Sequence, residues 1–218
     1  DTQDIWGKLR SRCENGVSEA EVQFVLEDFR GDIMQIPPMY SALKVNGQKL
    51  CDLARRGIEV ERKPRPATIS RLELVSFDGT DGVIDVDCSG GTYIRTLIND
   101  IGESLCTGAV MTSLCRTRSC GFTLADCHDL EEIRSADREQ LESWLLPVEN
   151  VFAPLPEIPL DEVQQRMYLN GVRLDADRLI QRTETDALSR VTFGGKFLGV
   201  GRINSEGELV PVKQFRNE

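Results

Sequence analysis

The sequence has 218 residues, of which 40% are hydrophobic and 28% charged, and its formal net charge is −10. This composition is typical of a globular chain with one large domain, or with a medium and a small one. The negative charge argues against a general cationic nucleic-acid binder, because phosphate contacts need Lys and Arg, but a basic stripe on an acidic body remains compatible with RNA binding. No apolar run approaches the roughly 20 residues that a membrane-spanning helix needs.

The cysteines and the single histidine give no sign of a metal site. The seven cysteines are odd in number and form no Cys-x-x-Cys pair. We therefore expect reduced thiols, packed as small apolar residues, in a cytoplasmic protein. His128 has no partner at metal-ligand spacing, so no metal site is predicted.

The first predicted elements are a helix and an extended segment. Ser18 and Glu21 form a capping-box pattern, apolar residues then recur at helical spacing, and Gly31 marks the end of the helix. Prolines before residue 39 exclude a helix there, so residues 39–48 are predicted to be extended or looped.

A short helix and a β-hairpin are predicted next. The helix runs from Leu50 to Arg56 and closes at Gly57. Alternating apolar and polar residues over 69–77 and 83–86 predict two strands joined through Asp-Gly turns. The stretch from Lys44 to Arg65 also holds a basic cluster: Lys44, Lys49, Arg55, Arg56, Arg62, Lys63 and Arg65.

In the rest of the chain we predict an amphipathic helix, then further short elements, and finally a β-rich end. Apolar residues from Ile94 to Leu105 fall at i, i+3, i+4, i+7 and i+11, which indicates a helix with one buried face. Strands are predicted over 109–124 and a helix over 129–146. After a proline-spaced linker come a short helix and then several short strands from residue 189 onward.

Two segments carry candidate binding residues. Residues 36–57 read IPPMYSALKVNGQKLCDLARRG and contain Tyr40, Lys44, Arg55 and Arg56. An aromatic ring with nearby cations can stack on a base and hold phosphate. On these residues alone, an ordinary surface loop leading into a helix is the favoured interpretation.

The second segment, residues 89–99, reads SGGTYIRTLIN and contains Tyr93 and Arg95 at a predicted strand-to-helix junction. Arginine there can pair bidentately with a carboxylate or a phosphate. A surface arginine beside a half-buried tyrosine is an equally good interpretation of the residues alone.

These two segments together resemble the TruB family of tRNA pseudouridine synthases, as do the opening DTQD with Gly7 and the ending FLGVGRINSEGELVPVKQF. The resemblance implies an α+β fold: a partial mixed, mostly antiparallel pseudouridine-synthase sheet with flanking helices, plus a small C-terminal PUA-like β domain. It implies that residues 1–150 are the C-terminal part of the catalytic domain and residues 151–218 a PUA-like RNA-binding domain.

The resemblance also implies the chemistry. The family isomerises the uridine at position 55, in the T-loop of tRNA, to pseudouridine without a metal or cofactor. The base is flipped out, and an aspartate attacks it covalently. The partner is therefore the tRNA T-stem-loop, and we expect no membrane, no metal and a monomer.

The family's nucleophile lies in a GGTLDP-type motif, and no such motif occurs in these 218 residues. The chain is thus expected to be the C-terminal two-thirds of such an enzyme and inactive alone. Two alternatives are a catalytically inactive RNA-binding module that retains the fold and an interaction domain that has lost RNA binding.

Residue by residue, the resemblance implies that Tyr93 packs on the target uracil and that Arg95 pairs with the missing aspartate. Leu114 matches a leucine that lines the base pocket, and Arg116 follows it as an RNA-binding candidate beside Tyr40, Lys44, Arg55 and Arg56. An arginine deprived of its acid would be costly to bury. We therefore expect Arg95 to be exposed, hydrated or paired with another acid.

Overall fold

The computed structural model describes residues 2–215 and divides into two compact units between Cys115 and Arg116. Asp1, the first residue of the DTQD segment, lies outside the described residues. The division falls earlier in the chain than the domain boundary placed at residue 150, which stays a prediction. No helix among residues 2–215 is both long and apolar enough to span a membrane.

The first unit is an antiparallel sheet with helices. Its elements are α1 Glu19–Glu27, β1 Gly31–Gln35, β2 Lys44–Val45, β3 Gln48–Lys49, α2 Leu50–Arg55, β4 Arg65–Phe77, β5 Gly82–Cys88 and α3 Ile94–Ser104. Strands β1, β4 and β5 form a three-stranded sheet with β4 in the centre, and β2 and β3 form a separate short hairpin. The predicted β4–β5 hairpin is confirmed.

Helix α1 begins where the capping box predicts. The backbone N–H of Ser18 donates to the Glu21 carboxylate at 2.7 Å, and the Ser18 hydroxyl accepts the backbone N–H of Glu21 at 3.3 Å. The Glu21 carboxylate thus accepts the Ser18 N–H, and it also accepts the Ser18 hydroxyl at 2.7 Å. These two bonds favour the ionised carboxylate, so the pKa of Glu21 lies below its usual value. The chain then turns at Gly31, with φ of 85°, into β1.

The core of the first unit lies between the sheet and the two longer helices. The apolar spacing of α1 and α3 gives each helix one inward stripe, and both stripes belong to one hydrophobic core with residues of β4. The buried residues of this core are Val22, Leu26, Ile69, Leu72, Leu97 and Ile101. The predicted buried face of α3 is therefore confirmed, and this packing fixes the N-terminus of α3, where the candidate residues lie.

The second unit contains short helices and a five-stranded sheet. Its elements are β6 Arg118–Ser119, β7 Phe122–Thr123, α4 Leu130–Ser135, α5 Arg138–Ser143, β8 Glu157–Pro159, α6 Glu162–Leu169, β9 Leu174–Asp175, β10 Leu188–Phe193, β11 Lys196–Ile203 and β12 Glu208–Gln214. The sheet order is β8-β10-β11-β12-β9, with β8 parallel to β10 and the other pairs antiparallel. This is the expected small β-rich domain, and its core surrounds Tyr168.

Two predictions for the middle of the chain are wrong in extent. Strands were predicted over 109–124, but the only ladder within that range among residues 2–215 is the two-residue pair β6–β7. The single helix predicted over 129–146 is two helices, because Asp137 caps a new helix through its side chain. Short, locally capped pieces replace the longer elements there.

The cysteines do not pack as small apolar residues. All seven are free thiols, as predicted, but six are exposed and only Cys51 is half-buried. Most lie in turns and irregular segments, whereas the cores are filled mainly by aliphatic residues of helices and strands. Burial follows the packed elements rather than the apolar character of the thiol.

Candidate functional site

Tyr93 and Arg95 lie at the beginning of α3. Tyr93 is the N-cap residue, with an extended backbone at φ −93° and ψ 101°, and Arg95 is in the first turn. Gly91, with φ of 86°, makes the tight turn that brings the chain from β5 into this helix. Both candidate side chains are half-buried, so each is held by the fold and remains reachable by a ligand.

The two predicted motifs meet in space. Arg95 donates from Nη2 to the backbone carbonyl of Tyr40 at 2.9 Å, across 55 residues of sequence. Among residues 2–215, no carboxylate forms an ion pair with Arg95. Arg95 is thus half-buried and hydrogen-bonded to a neutral carbonyl, whereas the sequence analysis expected it to be exposed, hydrated or paired with another acid.

Gln35 is a site residue that the sequence analysis did not identify. It ends β1, is only 3% exposed, and uses both ends of its amide on the backbone of Tyr93. Its Oε1 accepts the N–H of Tyr93 at 3.0 Å, and its Nε2 donates to the Tyr93 carbonyl at 3.3 Å. The only sequence signal was a polar residue shortly before the prolines at 37 and 38.

Replacing this amide tests how firmly Tyr93 is held. Gln35→Leu removes the acceptor for the Tyr93 N–H, so we expect the free energy of unfolding to fall by about 1–3 kcal/mol. Urea denaturation measures this. The matched control is Gln23→Leu on the exposed side of α1, where the lost bond to Glu19 should change stability by less than about 0.5 kcal/mol. Equal effects of the two substitutions would contradict a special role for Gln35.

A groove of about 720 Å³ lies beside Tyr40 in the first unit. Its walls come from the N-terminal segment, the loop 38–40, the end of α2 and one side of α3. The charged residues that line it are Asp4, Lys8, Arg10, Glu59, Arg62 and Glu103. The groove combines both charge signs with an aromatic ring, which suits a polar and partly planar ligand.

The other predicted RNA-binding residues are distributed over the surface. Lys44 in β2 is exposed, Arg55 pairs with Asp52 at 3.2 Å, and Arg56 donates to Gln48 at 2.6 Å. The α2 end that bears Arg55 and Arg56 also lines the groove through neighbouring residues. Arg55 and Arg56 therefore lie next to the groove that contains Tyr40.

Leu114 and Arg116 lie on either side of the division between the two units. Leu114 is 58% exposed, in the irregular segment after Met111. Arg116 is exposed and belongs to the second unit. Within residues 2–215, no three His, Cys, Asp or Glu side chains are grouped so that they could hold a metal ion.

Family models match the chain in three consecutive parts. Residues 1–94 match the TruB family pseudouridylate synthase (N terminal domain) and residues 95–153 the tRNA pseudouridylate synthase B C-terminal domain. Residues 156–213 match the domain described as pseudouridine synthase II TruB, C-terminal.

Curated relatives are similar along the whole chain. A tRNA pseudouridine synthase B of Pseudomonas fluorescens (strain Pf-5) is 39% identical over 221 residues, covering 100% of this chain and 72% of the relative. That of Chromobacterium violaceum is 39% identical over 219 residues, with 100% and 71% covered. That of Clostridium tetani is 38% identical over 208 residues, with 95% and 71% covered.

Solved structures share the fold. A chain in the crystal structure of a Cbf5-Nop10-Gar1 complex is similar with a TM-score of 0.67 at 22% identity, covering 94% of this chain and 63% of that one. A chain in the structure of an H/ACA RNP bound to a substrate RNA gives 0.65 at 20% identity, with 94% and 64% covered. The chain therefore spans less than two thirds of these chains, and the likeness confirms the α+β fold with its C-terminal β domain.

Proposed function

Because the chain belongs to the TruB family of tRNA pseudouridine synthases, we propose that it isomerises the T-loop uridine at position 55 of tRNA together with an aspartate that is not among these 218 residues. In this reaction the bond from uracil nitrogen to ribose breaks, the flipped-out base rotates, and a carbon–carbon bond to ribose forms. The hydrogen on that ring carbon is released to water.

The observation that carries the proposal is that Arg95 has no acidic partner within residues 2–215. A guanidinium has several N–H donors in one plane and binds a carboxylate bidentately. Its only hydrogen bond among those residues goes to the neutral carbonyl of Tyr40. Arg95 is thus pre-positioned to bind the carboxylate of the nucleophile through its remaining N–H donors.

The remaining roles follow the same arrangement. Tyr93, fixed by Gln35 at the start of α3, packs on the target uracil, and Leu114 lines the base pocket. Tyr40, Lys44, Arg55, Arg56 and Arg116 contact the RNA, which needs cations because its backbone is a chain of phosphates. The chemistry calls for no metal or cofactor, and we propose a cytoplasmic monomer.

Tritium release from tRNA that carries 5-tritiated uridine tests the proposal directly. The chain alone should release no tritium above background. The same chain joined to a GGTLDP-type segment of a family member should release it, because the aspartate then reaches Arg95. Release by the chain alone at the rate of a complete enzyme would show that another carboxylate of this sequence is the nucleophile.

The second candidate is a catalytically inactive RNA-binding module that retains the synthase fold. It predicts that the joined protein binds tRNA but still releases no tritium. The two functions are therefore separated by one assay on one pair of proteins.

A further inference from the structure

An anchored turn presents Trp6 on the surface of the first unit. The N–H of Gly7 donates to the carbonyl of Asp4 at 2.9 Å, and the Asp4 carboxylate accepts the N–H of Trp6 at 3.2 Å. The turn is tied down by the N–H of Ile5, which donates to the carbonyl of Met111 at 3.0 Å. The backbone that carries Trp6 is therefore pre-organised.

The side chain of Trp6 is 91% exposed, the highest value among the exposed large hydrophobic residues of the described chain. Leu9, close behind it in the chain, is 82% exposed. The core of the first unit is made of aliphatic side chains, whereas the large indole of Trp6 is exposed to solvent on a structured turn. An exposed aromatic ring on an anchored backbone is a feature with which proteins stack on unpaired bases.

Cations follow directly after the turn. Lys8, Arg10 and Arg12 alternate along the chain, all three are exposed, and no acidic residue occurs between Asp4 and Glu14. Lys8 and Arg10 line the groove beside Tyr40. In a chain whose net charge is −10, three cations within five residues beside an exposed indole are complementary to a polyanion with free bases.

We propose that Trp6, Lys8, Arg10 and Arg12 form a basic-aromatic strip that binds an unpaired nucleotide of the RNA outside the target uridine. Trp6 stacks on its base, and the cations contact the adjoining phosphates. The inference rests on the proposed function, because the RNA is the substrate, but it assigns this contact to residues that are not among the binding candidates of the sequence analysis.

Tryptophan emission tests the stacking without any catalysis. The sequence has two tryptophans, Trp6 and Trp144, so Trp144→Phe leaves Trp6 as the only emitter and Trp6→Phe leaves only Trp144. A T-arm stem-loop RNA should quench Trp6 emission to saturation, and a duplex of the same length without a loop should not. If Trp144→Phe does not fold, the difference in quenching between the parent chain and Trp6→Phe gives the same quantity.

Affinity and its salt dependence test the rest of the strip. Trp6→Ala should weaken stem-loop binding by about tenfold. The double substitution Arg10→Gln, Arg12→Gln should reduce the slope of log K against log salt concentration by about 1.4, since each phosphate contact to a single strand contributes about 0.7. The control double substitution Arg134→Gln, Arg138→Gln removes the same charge from α4 and α5 and should leave the slope unchanged.

The outcomes separate the strip from the proposed function. RNA binding with unchanged Trp6 emission and an unchanged salt slope would overturn the strip alone. No RNA binding even at low salt would overturn both the strip and the RNA-binding part of the proposed function. Quenching by the loopless duplex equal to that by the stem-loop would overturn the assignment to an unpaired nucleotide.

Discussion

Gly102→Ala should destabilise the first unit strongly, although alanine is the better helix former. Gly102 lies within α3, where intrinsic propensity alone would favour alanine by about 1 kcal/mol. A Cβ at this position would lie 2.1 Å from the backbone nitrogen of Ala109 and 2.4 Å from the carbonyl carbon of Gly108. Backbone atoms cannot move away as a side chain end can, so we expect a net loss of about 3 kcal/mol.

The close approach at Gly102 has a function in the fold. The N–H groups of Thr107 and Gly108 both donate to the Gly102 carbonyl, at 3.1 and 2.9 Å, which folds the chain back over the helix. The chain then reaches Met111, whose backbone holds the turn that carries Trp6. Disturbing Gly102 should therefore also weaken the presentation of Trp6.

Urea denaturation of Gly102→Ala against Gly16→Ala measures this effect. A Cβ added at Gly16 would meet no heavy atom within 4 Å, and Gly16 has no left-handed backbone, so its substitution should change stability by less than about 0.5 kcal/mol. A Gly102→Ala chain as stable as the parent would mean that the segment 107–109 does not pack on α3 as described.

Local signals in the sequence were sufficient for the elements that form by local rules. The capping box at Ser18, the helical apolar spacing of α3 and the strand periodicity before and after the Asp-Gly turns each specify an element within a short window. The Asn46-Gly47 pair is an equally good local signal, and both residues have the positive φ that the turn of the β2–β3 hairpin requires. This hairpin was not predicted, because the preceding prolines favour a loop.

Long-range pairing was not predictable in the same way. The strand β8 joins the sheet only through its parallel partner β10, and the two-residue β9 pairs only with β12 among residues 2–215. Neither segment is long enough to show a period, because its conformation depends on a partner distant in sequence. For the same reason the role of Gln35 could not be predicted from the sequence, because its partner, Tyr93, lies 58 residues away.

At the candidate site, too, the sequence was sufficient to name residues but not to predict their contacts. Tyr93 and Arg95 could be identified from the motif they share with the family, but the contact between Arg95 and Tyr40 is a property of the fold. Trp6 lies between the opening DTQD and Gly7, at a position that the family resemblance does not use. Its exposure on an anchored turn became visible only in three dimensions.

Arg95→Gln should separate catalysis from folding. In the chain alone, the substitution removes one hydrogen bond to a neutral carbonyl from a half-buried residue, so the free energy of unfolding should change by no more than about 1 kcal/mol. In the protein joined to the aspartate-bearing segment, the same change strips a carboxylate of its charged partner. Loss of one positioned donor at the reacting group typically costs about 100-fold or more in rate, so tritium release should slow by about that factor.

Measuring kcat, KM and stem-loop affinity on the same variants identifies the cause of that loss. A partner of the nucleophile affects kcat and leaves RNA affinity nearly unchanged, whereas a phosphate contact would weaken binding and lower the salt slope by about 0.7. The control Arg134→Gln removes an exposed cation that pairs only with Glu131 among residues 2–215, and it should change none of these quantities. An Arg95→Gln enzyme with full kcat would place the carboxylate elsewhere and remove the main support for the proposed site.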